Sequence, residues 1–106
     1  MLAELIKTTI TFVMSNYSLS FSSYLAHGSN SSSADYLRVG VRVGGTTTWL
    51  WARNGAAANL NGAWGAGSAS LTPWANQQVQ IVVEAADAST ASLVEAGVDD
   101  VRITGV

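Results

Sequence analysis

Two adjacent carboxylates, Asp99 and Asp100, stand inside an apolar, strand-like stretch near the end of the 106-residue chain. Successive side chains of a β-strand point to opposite faces, so Asp99 shares a face with Val101 and Ile103 while Asp100 takes the other. The apolar face is the core side, which predicts that Asp99 is buried and Asp100 exposed. A buried carboxylate needs a cation, several hydrogen-bond donors or a raised pKa. We therefore expect a structural ion or a cluster of donors at Asp99.

Four acidic residues are candidate ligands of a structural calcium ion. Asp35 opens one predicted strand, Asp87 closes another, and Glu95 and Asp99 lie in the last one. Because Ca²⁺ takes roughly six to eight oxygen ligands, these side chains would form a site if they meet at one end of a sandwich. Alternatively, Asp35 and Asp87 are turn residues, Asp99 accepts backbone N–H groups and Glu95 is solvated. No segment has the pattern of an EF-hand loop.

The aromatic side chains are candidates for ligand binding. Trp49 and Trp51 are two residues apart, so they share one face of a predicted strand, whereas Trp64 and Trp74 stand in a predicted loop and turn. Aromatic rings bury large areas, so core packing competes with stacking on a sugar ring. If Trp49 packs inward, Trp51 does too, and the loop tryptophans are then the better candidates. The predicted ligand-binding residues are Trp64, Trp74, Trp51 and Tyr36.

Catalytic chemistry has little support in the sequence. His27 is the only histidine, and neither G-x-S-x-G nor H-E-x-x-H is present. One histidine cannot build a zinc site by itself, and Asp99 and Asp100 point to opposite faces of a strand rather than toward one another. We expect no catalytic residues and no enzymatic activity. Five scattered basic residues and a net charge of -2 also argue against a nucleic-acid partner.

Composition indicates one folded domain. Hydrophobic residues make up 48% of the chain and charged residues 11%, which excludes the disordered class and leaves a surface of small polar side chains. There is no cysteine, so disulfides and thiolate metal sites are excluded. We expect no membrane partner, because no stretch approaches the roughly 18 apolar residues of a membrane span. The first residues lack the basic-then-apolar layout of a signal peptide, which leaves a cytoplasmic chain or a module of a longer exported protein.

Alternating apolar and polar residues predict an antiparallel β-sandwich, jelly-roll-like, of about seven short strands. Gly44 and Gly45 predict a hairpin turn. Residues 1–16 are interpreted as a lead-in or an atypical first strand, and residues 54–67 as a long loop held by Leu60 and Trp64. The predicted strands cover residues 8–14, 17–25, 35–43, 46–53, 68–72, 78–86 and 92–103.

The motifs in this order resemble the MAM-like jelly-roll accessory domain found near the C-termini of secreted bacterial proteases, notably zinc carboxypeptidases, and related carbohydrate-binding sandwiches. The resemblance covers roughly residues 17–104 and includes Asp-Tyr-Leu-Arg-Val-Gly-Val (35–41), Gly-Gly-x-x-x-Trp (44–49), Val-x-Ile-Val-Val-Glu-Ala-Ala-Asp (79–87) and Val-Glu-Ala-Gly-Val-Asp-Asp-Val-Arg-Ile (94–103). It implies a non-catalytic, extracellular part of a parent protein that binds glycan or protein, with calcium as a structural ion. Residues 1–14 depart from the family, which has further strands there.

Self-association is the alternative function. Several predicted strands carry little Lys or Glu to block edge pairing, and Val82 is expected to point outward from its strand. A missing first strand would leave a sheet edge that a second copy could complete. The two hypotheses are thus a binding module for glycan or protein and a structural unit that completes its sheet as a homodimer.

Overall fold

Two antiparallel sheets form a sandwich in the computed structural model, which describes residues 2–11, 17–87 and 94–105. The chain forms seven strands in this part, and a single 3-10 turn, Thr72–Trp74, precedes β6. The strands are β1 (Leu2–Thr11), β2 (Tyr17–His27), β3 (Tyr36–Val43), β4 (Thr46–Asn54), β5 (Trp64–Ser70), β6 (Gln78–Ala86) and β7 (Val94–Gly105). The predicted all-β sandwich is confirmed.

The strand order is β1-β6-β3-β4 in the four-stranded sheet and β5-β2-β7 in the three-stranded sheet. Among the described strands, every connection except the β3–β4 hairpin passes from one sheet to the other, which gives the jelly-roll-like character. The hairpin turns at Gly44 and Gly45, whose φ angles of 57° and 89° suit glycine. The predicted hairpin is therefore confirmed.

The core lies between the sheets and is built from the inward positions of β2, β3 and β6. Alternation of apolar residues places them there, as the sequence predicts. Leu71, just before the 3-10 turn, closes the core with no exposed surface. The buried cluster consists of Leu19, Phe21, Leu37, Val39, Val41, Leu71, Val79, Ile81 and Val83.

Two predicted boundaries are wrong. β1 begins at Leu2, not at residue 8, and pairs with β6, which agrees with the alternative of an atypical first strand; residues 12–14 of the predicted strand lie outside the described residues. β5 begins at Trp64, inside the predicted loop, because pairing with β2 fixes this Gly- and Ala-rich segment in spite of its low strand propensity. Leu60 continues the ladder through a bridge to His27.

β-Bulges occur on three edge strands. At each bulge the edge strand has one residue more than the neighbouring strand with which it pairs. The register shifts at Lys7 of β1, at Leu50 of β4 and within Asp100-Val101 of β7. A bulge reverses the alternation of side chains on either side of it. Two predictions about which face a side chain takes fail for this reason, as the site residues below illustrate.

Candidate functional site

The outer face of the three-stranded sheet carries an aromatic pair, in which a tryptophan is exposed and a tyrosine is half-buried. Trp64 of β5 is 58% exposed and lies directly opposite Tyr24 of β2 in the sheet register. The two ring centroids are 5.4 Å apart and the rings are tilted by 48°. Gly97 of β7 is the next position in the same row, and the Trp64 ring reaches over it, since a Cβ on Gly97 would lie 3.6 Å from Trp64 Cη2. The row therefore presents a broad aromatic surface to solvent.

Small polar side chains surround this pair, and we call the surface the serine face. It consists of the outward positions of β5, β2 and β7, which the register aligns in rows across the three strands. These positions are Trp64, Ala66, Ser68, Ser70, Ser18, Ser20, Ser22, Tyr24, Ala26, Glu95, Gly97, Asp99, Arg102 and Thr104.

A shallow depression of about 340 Å³ lies on the serine face beside the aromatic pair. Gly67 lies opposite Phe21 on the inward-facing row, and a Cβ on Gly67 would collide with the Phe21 ring, so glycine leaves room for this ring in the core beneath the floor of the depression. Hydroxyl and carboxylate groups border the floor and supply both hydrogen-bond donors and acceptors. The lining residues are Ser20, Phe21, Ser22, Ala66, Gly67, Ser68 and Asp100.

Asp99 is exposed on the serine face, so the prediction that it is buried is wrong. The bulge in β7 lets Val98, Val101 and Ile103 all pack against the core, which turns Asp99 outward. Asp100 has a φ of 54°, a left-handed conformation that Asp tolerates better than most residues. The Asp99 carboxylate accepts the Asp100 N–H at 2.8 Å and thereby holds the bulge.

Asp100 is exposed, as predicted, and it faces a cation. Its Oδ1 accepts a hydrogen bond from Arg102 Nε at 2.9 Å, with both side chains mostly in solvent. The pair lies next to the depression, so charged hydrogen-bonding groups are available beside its serines.

Trp51 and Trp49 point to opposite faces, so the prediction of a shared face is wrong. The extra residue, Leu50, puts Trp51 opposite Val39 and Trp49 opposite Gly40. Trp51 therefore packs inward, with its ring edge-on to Phe21 at a centroid distance of 5.0 Å. Trp51 is thus a core residue and does not reach the serine face.

Trp49 lies on the outer face of the four-stranded sheet beneath a cation. The Arg38 guanidinium carbon is 3.8 Å from the centre of the Trp49 ring and 4.6 Å from that of Tyr36. A Cβ on Gly40 would approach Trp49 Cε3 to 2.8 Å, so glycine makes room for the ring. The cation and the sheet therefore cover the two faces of Trp49.

Glu84 joins this cluster as a buried carboxylate that is 5% exposed. Its Oε1 accepts hydrogen bonds from Tyr36 Oη at 2.6 Å and from Arg38 Nε at 2.9 Å, and Arg38 Nη2 lies at 2.5 Å. The hydrogen bond to Glu84, together with burial, raises the pKa of Tyr36. Tyr36, a predicted ligand residue, thus takes part in an internal network on the face opposite to Trp64.

Trp74 belongs to the 3-10 turn and packs partly buried against the core. The four predicted ligand residues consequently occupy four different places: Trp64 the serine face, Trp51 the interior, Tyr36 the opposite face and Trp74 the turn. The residue that joins Trp64 is Tyr24. The alternation of residues 17–25 places Tyr24 on the same face as the outward serines. The sequence therefore contained a signal that Tyr24 belongs to this surface.

The predicted calcium ligands do not form one cluster. The buried Asp35 carboxylate accepts the Ser31 hydroxyl at 2.7 Å and the Ser32 N–H at 3.1 Å, which is the arrangement of a turn residue. Asp87 follows β6 at the same end of the sandwich, whereas Asp99 lies farther along β7. Within residues 2–11, 17–87 and 94–105, no three His, Cys, Asp or Glu side chains lie close enough to hold a metal ion.

A structural calcium ion stays a prediction, which melting curves test. A native-state calcium site would raise the melting temperature with added calcium and lower it with EDTA. Identical curves in both would contradict the prediction.

His27 lies at the end of β2 and is 8% exposed. Its Nδ1 is 3.2 Å from the Gly28 carbonyl oxygen, and an open pocket of about 300 Å³ beside it reaches Glu95. Asn59, Leu60 and Asn61 line the other side of this pocket.

No family model matches the chain, and no curated protein matches it significantly. Among the described residues, no helix has the length and apolar character needed to cross a membrane.

Proposed function

We propose that this chain is a non-catalytic binding module that recognises glycan through the serine face. The observation that carries the proposal is the 58% exposed ring of Trp64, tilted against Tyr24 on a surface of small side chains. A large apolar ring is costly to leave in water, and sugar rings offer flat C–H surfaces that cover such a ring. Trp64 therefore supplies the stacking surface.

Hydrogen-bonding groups stand where a sugar stacked on Trp64 would extend. The depression beside the aromatic pair carries the Ser20, Ser22 and Ser68 hydroxyls and the Asp100 carboxylate, and Arg102 adds a donor. Sugar hydroxyls need both donors and acceptors, and these groups offer both. Three carboxylates, Glu95, Asp99 and Asp100, and one cation, Arg102, give this face a net negative charge, which favours a neutral glycan over an anionic one.

The opposite sheet face does not compete for this role. Its tryptophan, Trp49, already has Arg38 over the ring, and Arg38 is held in turn by Glu84. A ligand there would have to displace a cation from both an aromatic ring and a carboxylate. We therefore assign recognition to the serine face, in an accessory domain of an exported protein as the resemblance implies.

A glycan array followed by calorimetric titration with the strongest soluble oligosaccharide tests the proposal. We expect Trp64→Ala to weaken binding by about tenfold or more, equivalent to about 1.4 kcal/mol, and Trp64→Tyr to weaken it less. Trp49→Phe is the matched control on the opposite face and should bind as the wild type does. Circular dichroism verifies that each variant is folded.

An array without any bound glycan would overturn the proposed function. Wild-type affinity in the Trp64→Ala variant would overturn the proposed location. A loss that appears equally in Trp49→Phe would show that the effect is general rather than local to the serine face.

A further inference from the structure

The edge strand β5 differs from the other described edges of the two sheets. The strand orders leave β1 and β4 at the edges of one sheet and β5 and β7 at the edges of the other. β1, β4 and β7 each contain a bulge, and each includes at least one charged residue: Lys7 in β1, Arg53 in β4 and Asp100 in β7. Bulges and charges are the features by which proteins block strand addition at an edge.

β5 has neither feature. Its register with β2 is regular over all seven residues, from Trp64 to Ser70, and its sequence Trp-Gly-Ala-Gly-Ser-Ala-Ser contains no charge and no proline. Most of its residues are exposed. Every second residue of an edge strand directs its N–H and C=O away from the sheet, so β5 offers hydrogen bonds to another strand.

We propose that β5 pairs with β5 of a second copy of this chain, in antiparallel orientation around a twofold axis at Gly67. Pairing over the whole strand then puts Trp64 opposite the partner's Ser70 and Ala66 opposite the partner's Ser68. The three-stranded sheets of the two copies join into one six-stranded sheet with strand order β7-β2-β5-β5-β2-β7.

Charge and side-chain size favour a second copy as the occupant. A twofold axis brings each edge near its own duplicate, so an edge that carries charge meets like charge, whereas β5 meets none. Its one large side chain, Trp64, faces the small Ser70, and the centre of the pairing holds only Gly67 and its small neighbours. The edge is thus complementary to itself.

The pairing also extends the serine face across both copies. The two Trp64 side chains lie on the same side of the joined sheet, separated along the strands by roughly 20 Å, the length of six residues. This arrangement would present two aromatic surfaces to one extended ligand. The pairing itself does not depend on the proposed glycan binding.

Analytical ultracentrifugation of the full chain over a wide range of concentration tests the dimer. We expect the wild-type mass to approach twice the chain mass as concentration rises. Ala66→Lys brings two lysines together near the axis and should raise the dimer dissociation constant about tenfold or more. Thr104→Lys adds the same charge to the same face on the other edge strand, β7, and should dimerise as the wild type does.

A charge swap tests the register. Ser68→Glu should also impair self-association, because it brings two carboxylates together near the axis. An equimolar mixture of Ala66→Lys and Ser68→Glu chains should recover the dimer, because the register puts Lys opposite Glu. This recovery also shows that both variants are folded.

Two results would overturn the proposal. One is a wild-type chain that stays monomeric at every concentration. The other is an Ala66→Lys variant that dimerises as well as Thr104→Lys does, since the contact would then lie elsewhere. Glycan binding by the wild-type chain, measured at concentrations where it is monomeric, separates this outcome from that of the proposed function.

Discussion

The outer faces of the two sheets use their aromatic residues in opposite ways. On the four-stranded sheet, Trp49 lies under Arg38, and Glu84 is buried between Arg38 and Tyr36. On the three-stranded sheet, Trp64 has Tyr24 beside it and otherwise faces solvent. Both faces carry a tryptophan on an edge strand, yet only the second leaves its ring available to a ligand.

The neighbours of an aromatic ring decide what the ring can bind. Arg38 gains from both the Trp49 ring and the Glu84 carboxylate, so the ring and the charges on that face stabilise one another. Val82, which was expected to point outward on the same face, has no exposed surface, so it gives a second copy no apolar patch to cover. β1 also fills the sheet edge where a missing strand was expected. The open edge is β5 instead.

The largest expected effect comes from removing the buried carboxylate. Glu84→Ala takes away the acceptor of both Tyr36 and Arg38 and leaves a partly buried cation unpaired, so we expect the free energy of unfolding to fall by about 3 kcal/mol. Glu95→Ala on the serine face removes an exposed carboxylate and should leave stability unchanged. Urea denaturation monitored by tryptophan fluorescence measures both. Equal losses would remove the energetic distinction between the faces.

Two glycines differ in the space that surrounds them. A Cβ at Gly40 would lie 2.6 Å from the Thr48 carbonyl oxygen and 2.8 Å from Trp49 Cε3, so Gly40→Ala should destabilise the protein by about 2 kcal/mol. At Gly65 of β5 no atom lies within 4 Å of an added Cβ. Gly65→Ala should therefore be neutral or stabilising, because alanine loses less backbone freedom on folding.

Thermal melting of these two glycine variants is the measurement. Opposite signs of the two shifts would match the crowded surroundings of Gly40 and the open space beside Gly65. A Gly40→Ala variant as stable as the wild type would mean that Trp49 moves without cost, and its close packing against Gly40 would then not matter to the fold.

Alternation in the sequence predicted the sandwich, most strands and the inward positions of β2, β3 and β6. It failed where packing between strands, rather than local pattern, decides the structure. β5 becomes a strand because β2 provides a partner, and residues 2–7 extend β1 along β6 although several are good helix formers.

The site was harder to predict because two bulges change the sheet face to which its side chains point. A strict period of two assigns Trp49 and Trp51 to one face and buries Asp99; one extra residue in each strand reverses both results. Asp-Asp in an apolar strand was itself a signal, since Asp is among the few residues that accept a positive φ. Nothing comparable marks Leu50, so the position of Trp49 required the structure.

The β7 bulge yields a prediction of intermediate size. Asp100→Val puts a β-branched residue at a φ of 54°, which should cost roughly 1 to 2 kcal/mol, whereas Asp100→Gly should be close to neutral. Chemical denaturation compares the two variants. If valine is tolerated as well as glycine, the bulge has moved or closed, and the outward position of Asp99 on the serine face would be in doubt.

The smallest expected effect on stability comes from removing the Tyr36 hydroxyl. The pH dependence of stability then shows whether the effect comes from its hydrogen bond to Glu84. Tyr36→Phe removes the hydrogen bond to Glu84 and should cost about 1 kcal/mol at neutral pH, whereas Tyr24→Phe on the serine face should cost less.

The pKa of Tyr36 is raised in the folded protein by its hydrogen bond to Glu84 and by burial, so the folded state holds this proton more tightly than the unfolded state does. The resulting stability is fully present below the ordinary tyrosine pKa of about 10 and is lost as the pH rises through the folded value. Unfolding measured at increasing alkaline pH should therefore show a steeper loss for the wild type and for Tyr24→Phe than for Tyr36→Phe. If stability falls equally steeply with pH in all three proteins, the hydrogen bond between Tyr36 and Glu84 does not raise the pKa of Tyr36.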